Sequence, residues 1–255
     1  MKPQYQAVSR LRQQLGLWRS RLMYYGPRAP RRRLAAFYAQ FIKSGDLCFD
    51  IGAHIGNRIQ AWRRLDARVV AVEPQPQCMA LLHRWFGMDP QVILLEMGVG
   101  TQPGQAELYI SELTPTLSTM SATWRDTITQ AQGFGDARWQ KSQLVPVTTL
   151  DTMIADYGMP AFCKIDVEGS ELAVLQGLSQ PIPALSFECI PAARALSLAC
   201  LERLHALGNY EFNWSWGEDA QLAYKDWCRY PDIAAQVRAL AQPRSGDIYA
   251  RLMSV

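Results

Sequence analysis

The stretch Leu47-Cys48-Phe49-Asp50-Ile51 followed by Gly52-Ala53-His54-Ile55-Gly56 constrains this chain more than any other. An apolar run broken by one carboxylate suits a strand buried on both faces of a parallel sheet. Two glycines four apart then let the backbone turn sharply and approach a ligand closely. Beyond them Ile59, Trp62 and Leu65 recur at helical spacing. Strand, glycine turn and helix in that order predict the opening unit of an α/β sheet that binds a nucleotide or nucleoside.

The glycine pattern narrows the ligand. A dinucleotide fingerprint needs three glycines, G-x-G-x-x-G, so that a pyrophosphate can sit on a helix N-terminus. Here His54 occupies the middle glycine position, and its side chain would crowd that approach. A second strand from Arg68 ends in Glu73-Pro74, and Glu73 falls 21 residues after Gly52. Such sheets place there the carboxylate that accepts both ribose hydroxyls. A ligand with a ribose, no pyrophosphate and a charged amino-acid end fits these parts, namely S-adenosylmethionine. A core strand with a turn and a surface acid is the plain alternative.

A second stretch carries acids at strand ends. Ala161–Ile165 reads as a buried strand that ends at Asp166, with Glu168 two residues on and a helix stripe at Leu172, Leu175 and Leu178. Ala184–Phe187 is another strand, ending at Glu188. Ligands in open parallel sheets bind outside the carboxyl ends of strands, where strand order reverses. Asp166, Glu168 and Glu188 are therefore expected to share a crevice with the glycine loop. No metal is assigned, although three oxygen donors leave a magnesium site there as an open alternative.

With these residues in view, the chain resembles the FkbM-type methyltransferases, S-adenosylmethionine-dependent enzymes credited mostly with O-methylation of sugars, glycans and natural products. The matching motifs are Phe49–Asn57, Val72-Glu73-Pro74, Val147–Asp151, Lys164–Glu171, Val174–Gly177 and Phe187-Glu188. The resemblance implies a Rossmann-like class I methyltransferase fold: a mostly parallel seven-stranded sheet, helices on both faces and a terminal antiparallel strand pair. It implies cofactor roles for Asp50, Gly52, His54, Gly56, Asn57, Glu73 and Pro74. Asp166 and Glu168 become the catalytic candidates, with Lys164 and Glu188 toward the substrate. The acceptor is expected to be a small molecule or glycan. Position 54 is more often Asn in the family, so His54 reads as a hydrogen-bonding stand-in.

Charge divides the chain at about residue 45. Residues 1–45 hold ten Lys/Arg and no acid, and 46–255 form the expected methyltransferase domain. In the basic head, Val8, Leu11, Leu15, Trp18 and Leu22 make one apolar helical stripe, which is expected to be buried against the protein or a second subunit. Peripheral contact with an anionic membrane is the competing reading, and nucleic acid is not expected. Tyr24–Pro27 ends this helix, and Pro30 leads into another through Leu34, Phe37 and Phe41. Residues 111–143, rich in Ser, Thr and Gln, read as an insertion over the sheet, either a substrate lid or a plain surface excursion. Gln143–Thr149, with Pro146, suits an edge strand. Six scattered cysteines without metal spacing, and no membrane span, point to free thiols and the cytoplasm. Two rival classes remain, a nicotinamide oxidoreductase and a non-catalytic protein that kept the cofactor fold.

Overall fold

The computed structural model describes residues 3–26, 31–130, 138–217, 219–240 and 245–253. Pro27, Pro30 and part of the insertion, 131–137, lie outside the described residues. Two helices come first, α1 (Pro3–Tyr25) and α2 (Arg31–Tyr38). Then follow β1 (Leu47–Ile51), α3 (Asn57–Arg63), β2 (Arg68–Val72), α4 (Pro76–Phe86) and β3 (Val92–Leu95). Next come β4 (Gly98–Val99), β5 (Gly104–Ile110), α5 (Ala122–Gln130) and β6 (Lys141–Thr148). The second half runs α6 (Leu150–Tyr157), β7 (Phe162–Ile165), α7 (Glu171–Gln176), β8 (Ala184–Cys189) and α8 (Arg194–Leu207). It closes with β9 (Tyr210–Trp216), α9 (Tyr230–Ala239) and β10 (Gly246–Leu252).

Among the described residues the main sheet has seven strands in the order β3-β2-β1-β7-β8-β10-β9. Pairing is parallel from β3 through β8, and β10 runs antiparallel to both β8 and β9. This is the Rossmann-like class I methyltransferase sheet with its terminal antiparallel pair. Strand order reverses between β1 and β7, so the crevice outside their carboxyl ends is the switch point where ligands bind.

Side-chain alternation sorts the core into two layers. Phe49, Ile51, Val70, Val72, Ile165 and Phe187 face α6 to α9, packing on Met153, Leu175, Leu201 and Val237. Cys48, Val69, Ala71, Phe162 and Tyr249 face α2 to α4. Tyr38 of α2 meets Trp62 and Phe162 edge-on, with ring centroids 5.4 Å away in each case. The second helix of the basic head is therefore part of the core. All six cysteines are free thiols.

Helix α1 does not bury its apolar stripe against this chain, the first of the two covers expected for it. Its described stripe residues, Leu11, Leu15, Trp18 and Leu22, face water at 48–58% exposure; the side chain of Val8 lies outside the description. Ser9, Gly16 and Ser20 are buried instead. A Cβ on Gly16 would meet the Glu112 carbonyl oxygen at 2.6 Å and Pro115 Cδ at 2.8 Å, so only a small face lets the helix lie this close. Glu112, itself buried, accepts from the Ser9 hydroxyl and pairs with Lys141 Nζ at 3.0 Å. A buried carboxylate needs such donors, which leucines do not supply.

Three smaller differences have local causes. β6 is the middle strand of a three-stranded sheet, β4-β6-β5, and not an edge. Pro146 is tolerated because two-residue β4 pairs only with Val147 and Thr148, leaving β6 open on that side at Pro146. Helix α5 was not expected from its β-branched residues, yet Ser121 Oγ caps it by accepting from Trp124 N–H at 3.1 Å. Helix α9, also unexpected, starts with Pro231 in its first turn and buries Ile233, Ala234 and Val237.

Trp62 is wholly buried between Tyr38 and Phe162. Trp62→Ala should lower the unfolding free energy by about 3–5 kcal/mol. Urea denaturation checks this, and a loss below about 1 kcal/mol would mean that α2 is not held through this contact.

Candidate functional site

The loops after β1, β2 and β7 and the end of β8 open into one cavity of about 970 Å³, measured out to bulk solvent. Gly52, at φ +85°, sets the spacing of its walls. A Cβ there would meet the Asp166 carbonyl oxygen at 1.8 Å. The close approach lets Asp166 N–H donate to the Ile51 carbonyl at 2.9 Å, while Gly52 N–H donates to the Val72 carbonyl at 2.9 Å. Three loops are thus held together by one missing side chain.

Glu73 is buried at the end of β2. Its carboxylate accepts from the His54 N–H at 2.8 Å and from the Gln75 N–H at 2.8 Å, one on each oxygen. Burial raises its pKa to about 7 against the lowering effect of those bonds. Asp50, 1% exposed, has an Oδ2 with no hydrogen-bond partner among the described residues. Burial raises this carboxyl to about 7 too, opposed by the charges of Arg58 and Lys164. His54 has a left-handed backbone (φ 49°) and a ring beside Tyr24, centroids 5.9 Å apart. Its Nε2 lies 3.4 Å from Ser20 Oγ, and burial lowers its pKa to about 4, which keeps the ring neutral.

The acids on the other wall converge. One oxygen from each of Asp166, Glu168 and Glu188 lies within 4.8 Å of the others. Glu168 takes a left-handed backbone (φ 52°), a conformation non-glycine residues hold only where the surroundings enforce it. The enforcing residue is Glu171, whose Oε1 accepts from the Val167 and Gly169 N–H groups at 3.2 and 3.1 Å. Burial first, then the charges of Glu188 and Asp166, push the Glu168 carboxyl well above the ordinary carboxylate range. Burial and Asp166 do the same to Glu188.

Lys164 lies beneath these acids, wholly buried. Its Nζ is 2.8 Å from Asp247 Oδ1 and 3.4 Å from Asp166 Oδ2. Burial disfavours the ammonium, but Asp166 and Asp247 outweigh it and hold its pKa above the usual lysine value. Its charge is thus engaged by these two acids, although it lines the cavity. Asn57 and Pro74 also line the cavity, whereas Gly56 is absent from its walls. At Gly56, φ is +80° and a Cβ would meet Phe86 Cε2 at 2.6 Å and Leu82 Cδ2 at 2.8 Å. That glycine seats the start of α3 against α4.

Pro115, Thr116, Ser118, Thr119 and Met120 of the insertion line the cavity. Thr119 Oγ1 donates to the Glu168 carbonyl at 2.6 Å, and Ser118 Oγ donates to Gln75 Oε1 at 2.8 Å. Trp124 of α5 lies where a Cβ on Gly169 would be, 2.1 Å from its Cγ. Sequence reasoning missed Tyr24, Gln75, Ser118, Thr119 and Asp247. Gln75 directly follows the Glu73-Pro74 motif, whereas only the folded chain brings the other four here.

A family model described as the methyltransferase FkbM domain matches residues 50–190, more than half of the chain. The chain belongs to this family. Its activity class is therefore methyl transfer from S-adenosylmethionine. No curated protein matches the sequence. Among solved structures, similarity extends to a TehB-like SAM-dependent methyltransferase from Corynebacterium glutamicum: 10% identity, TM-score 0.48, 97% of this chain and 99% of that one. A putative O-methyltransferase from Klebsiella pneumoniae is similar at 11% identity and TM-score 0.47, over 100% of this chain and 91% of that one. A precorrin-6y C5,15-methyltransferase from Geobacter metallireducens shares 12% identity with TM-score 0.46, over 86% of each chain.

Gly52→Ala should be more damaging than Gly45→Ala, although both glycines have left-handed φ, +85° and +82°. Nothing lies within 4 Å of a Cβ at Gly45, so only the backbone cost of about 1–2 kcal/mol applies there. Thermal and urea unfolding of the two variants checks the difference. Equal losses would show that the Gly52–Asp166 approach can relax freely.

Proposed function

We propose that this FkbM-domain methyltransferase O-methylates a hydroxyl of a sugar, glycan or other small natural product. The supporting observation is the convergence of Asp166, Glu168 and Glu188 at one end of the cavity whose other wall carries Asp50, Gly52 and Glu73. S-adenosylmethionine, bound along that wall, supplies a methyl on a positively charged sulfur. The residues fit it: Asp50 offers a buried oxygen without a partner for an ammonium, and each Glu73 oxygen retains acceptor capacity for a ribose hydroxyl. Gly52 and the main chain through His54 leave room beside them, with Asn57 and Pro74 on the same wall.

The acids then do two jobs. A hydroxyl is a weak nucleophile at neutral pH, and a carboxylate within reach takes its proton as attack proceeds. Glu168 and Glu188, both raised by burial and neighbouring charge, are more basic than an ordinary carboxylate. One of them, with Asp166 as second acceptor, receives the proton, and the others hydrogen-bond the acceptor's remaining hydroxyls. Lys164 keeps the group from repelling itself apart. The insertion excludes water through Thr116, Ser118, Thr119 and Met120, which line the cavity.

Incubating the protein with S-adenosylmethionine labelled at the methyl and with fractionated cell extract tests the reading. Label on a hydroxyl oxygen of a saccharide or small-molecule product is expected; label only on nucleic acid, protein or carbon would overturn it. With the acceptor in hand, Glu168→Gln should lose on the order of a hundredfold in kcat while binding cofactor normally. Because the ionised carboxylate is the working form, kcat/KM should rise with pH above the ordinary carboxylate range. Glu188→Gln should move that rise to lower pH by removing a like charge from Glu168.

Glu73→Ala should weaken S-adenosylmethionine by about 1.5–3 kcal/mol, tenfold or more. Wild-type affinity should strengthen as pH rises through about 7, since hydroxyl donors favour the ionised Glu73 carboxylate. Titration calorimetry at several pH values measures both. Unchanged affinity in the variant would remove Glu73 from the cofactor site.

A further inference from the structure

The outward face of α1 has no cover among the described residues. Leu11, Leu15, Trp18 and Leu22 fall on one side of the helix at 3.6 residues per turn, and each leaves about half its surface in water, 48–58%. The opposite side, Ser9, Gly16 and Ser20, is the one that packs on the insertion. Arg12 and Arg19, both exposed, border the stripe along one flank, and exposed Arg21 borders the other. A contiguous apolar strip rimmed by charge marks a contact surface.

The charge decides the occupant. Residues 1–45 hold ten Lys/Arg and no Asp or Glu. A second α1 laid on this face would set arginines against arginines with no acid in either segment to pair with them. A layer of lipid phosphates offers the opposite charge on both flanks and an apolar interior between them. Among the described residues no helix is long and apolar enough to cross a membrane, so such a helix would lie along the surface.

We propose that α1 is an in-plane anchor that docks this enzyme on an anionic lipid surface. Leu11, Leu15, Trp18 and Leu22 enter the headgroup–acyl boundary, and Arg12 and Arg19 meet lipid phosphates. The carboxyl end of the same helix reaches the active site: Met23, 63% exposed, and Tyr24 line the cleft that holds Asp166, Glu168 and Glu188. Docking therefore holds at the membrane a helix whose carboxyl end is a wall of that cleft. On the acceptor reading given above, a hydroxyl carried by a membrane-borne molecule would reach the acids without leaving the interface.

Vesicle co-sedimentation tests the anchor without any acceptor, so its outcome is independent of the reaction assigned to the site. The full chain is incubated at about 0.1 M salt with vesicles of phosphatidylcholine alone or mixed with phosphatidylglycerol. At least about tenfold stronger binding to the anionic vesicles is expected, weakening as salt is raised. Leu15→Ser combined with Trp18→Ser should abolish that binding, as should Arg12→Glu combined with Arg19→Glu. Both pairs should leave the melting temperature unchanged, because these side chains face water in the folded chain. No preference for anionic vesicles would overturn the proposal. So would a dimer in analytical ultracentrifugation that the Leu15 and Trp18 changes dissociate, since the stripe would then belong to a second copy.

Discussion

The site rests on buried positive charge, Lys164 with Arg58 near it. Lys164, in the middle of β7, holds its ammonium against Asp247 from β10 and Asp166 from its own strand end. Around it stand Asp50, Glu168 and Glu188, a density of negative charge that a low-dielectric pocket would not hold by itself. With the lysine in place the acids remain clustered, their carboxyls pushed upward without being driven apart. The sheet supplies the alignment, because Asp50 pairs in register with Lys164 in the parallel β1–β7 ladder and Asp247 with Glu188 in the antiparallel β10–β8 ladder. Register and charge balance are therefore one constraint seen twice.

From that constraint the division of the cavity follows. The wall built by β1 and β2 has main-chain donors and two carboxylates raised to about 7, Asp50 and Glu73, which suits a ligand bearing hydroxyls and an ammonium. The wall built by β7 and β8 has carboxylates with few donors of their own, which suits taking a proton. Gly52 joins the two walls, since any side chain there would drive the Asp166 backbone away. Catalysis by positioning, worth roughly 7–11 kcal/mol at best, needs that separation fixed. Backbone strain at His54 and Glu168 falls on the same two loops, where strain is expected to collect at functional sites.

The N-terminal segment shows how composition and structure diverge. Its charge is uniform, yet its two helices do different things. Helix α2 gives Leu34, Phe37 and Tyr38 to the core layer that also holds Trp62 and Phe162. Helix α1 instead turns its small residues inward, toward a buried Glu112 that requires donors, and leaves its leucines outside. Polar satisfaction of one buried acid decided the rotation of the helix over the larger apolar area on its other face.

The sequence by itself determined the frame: the strand–glycine–helix unit at 47–65, the acid at Glu73, and the strand-end acids Asp166, Glu168 and Glu188. Each of these signals is local, a periodicity or a spacing that backbone geometry imposes within one or two elements. Helices α5 and α9 stayed illegible because their faces are short and their apolar residues few, so tertiary packing supplied what propensity did not. Only the tertiary structure decided that Gly56 packs on α4, that Asp247 balances Lys164, and that Tyr24 and Thr119 line the cavity. Those pairings join residues far apart in the chain, and nothing in either partner's neighbourhood encodes the other. The outward turn of the α1 stripe belongs with them: periodicity reveals that a helix has an apolar face, but which face is covered depends on what the rest of the fold sets against it.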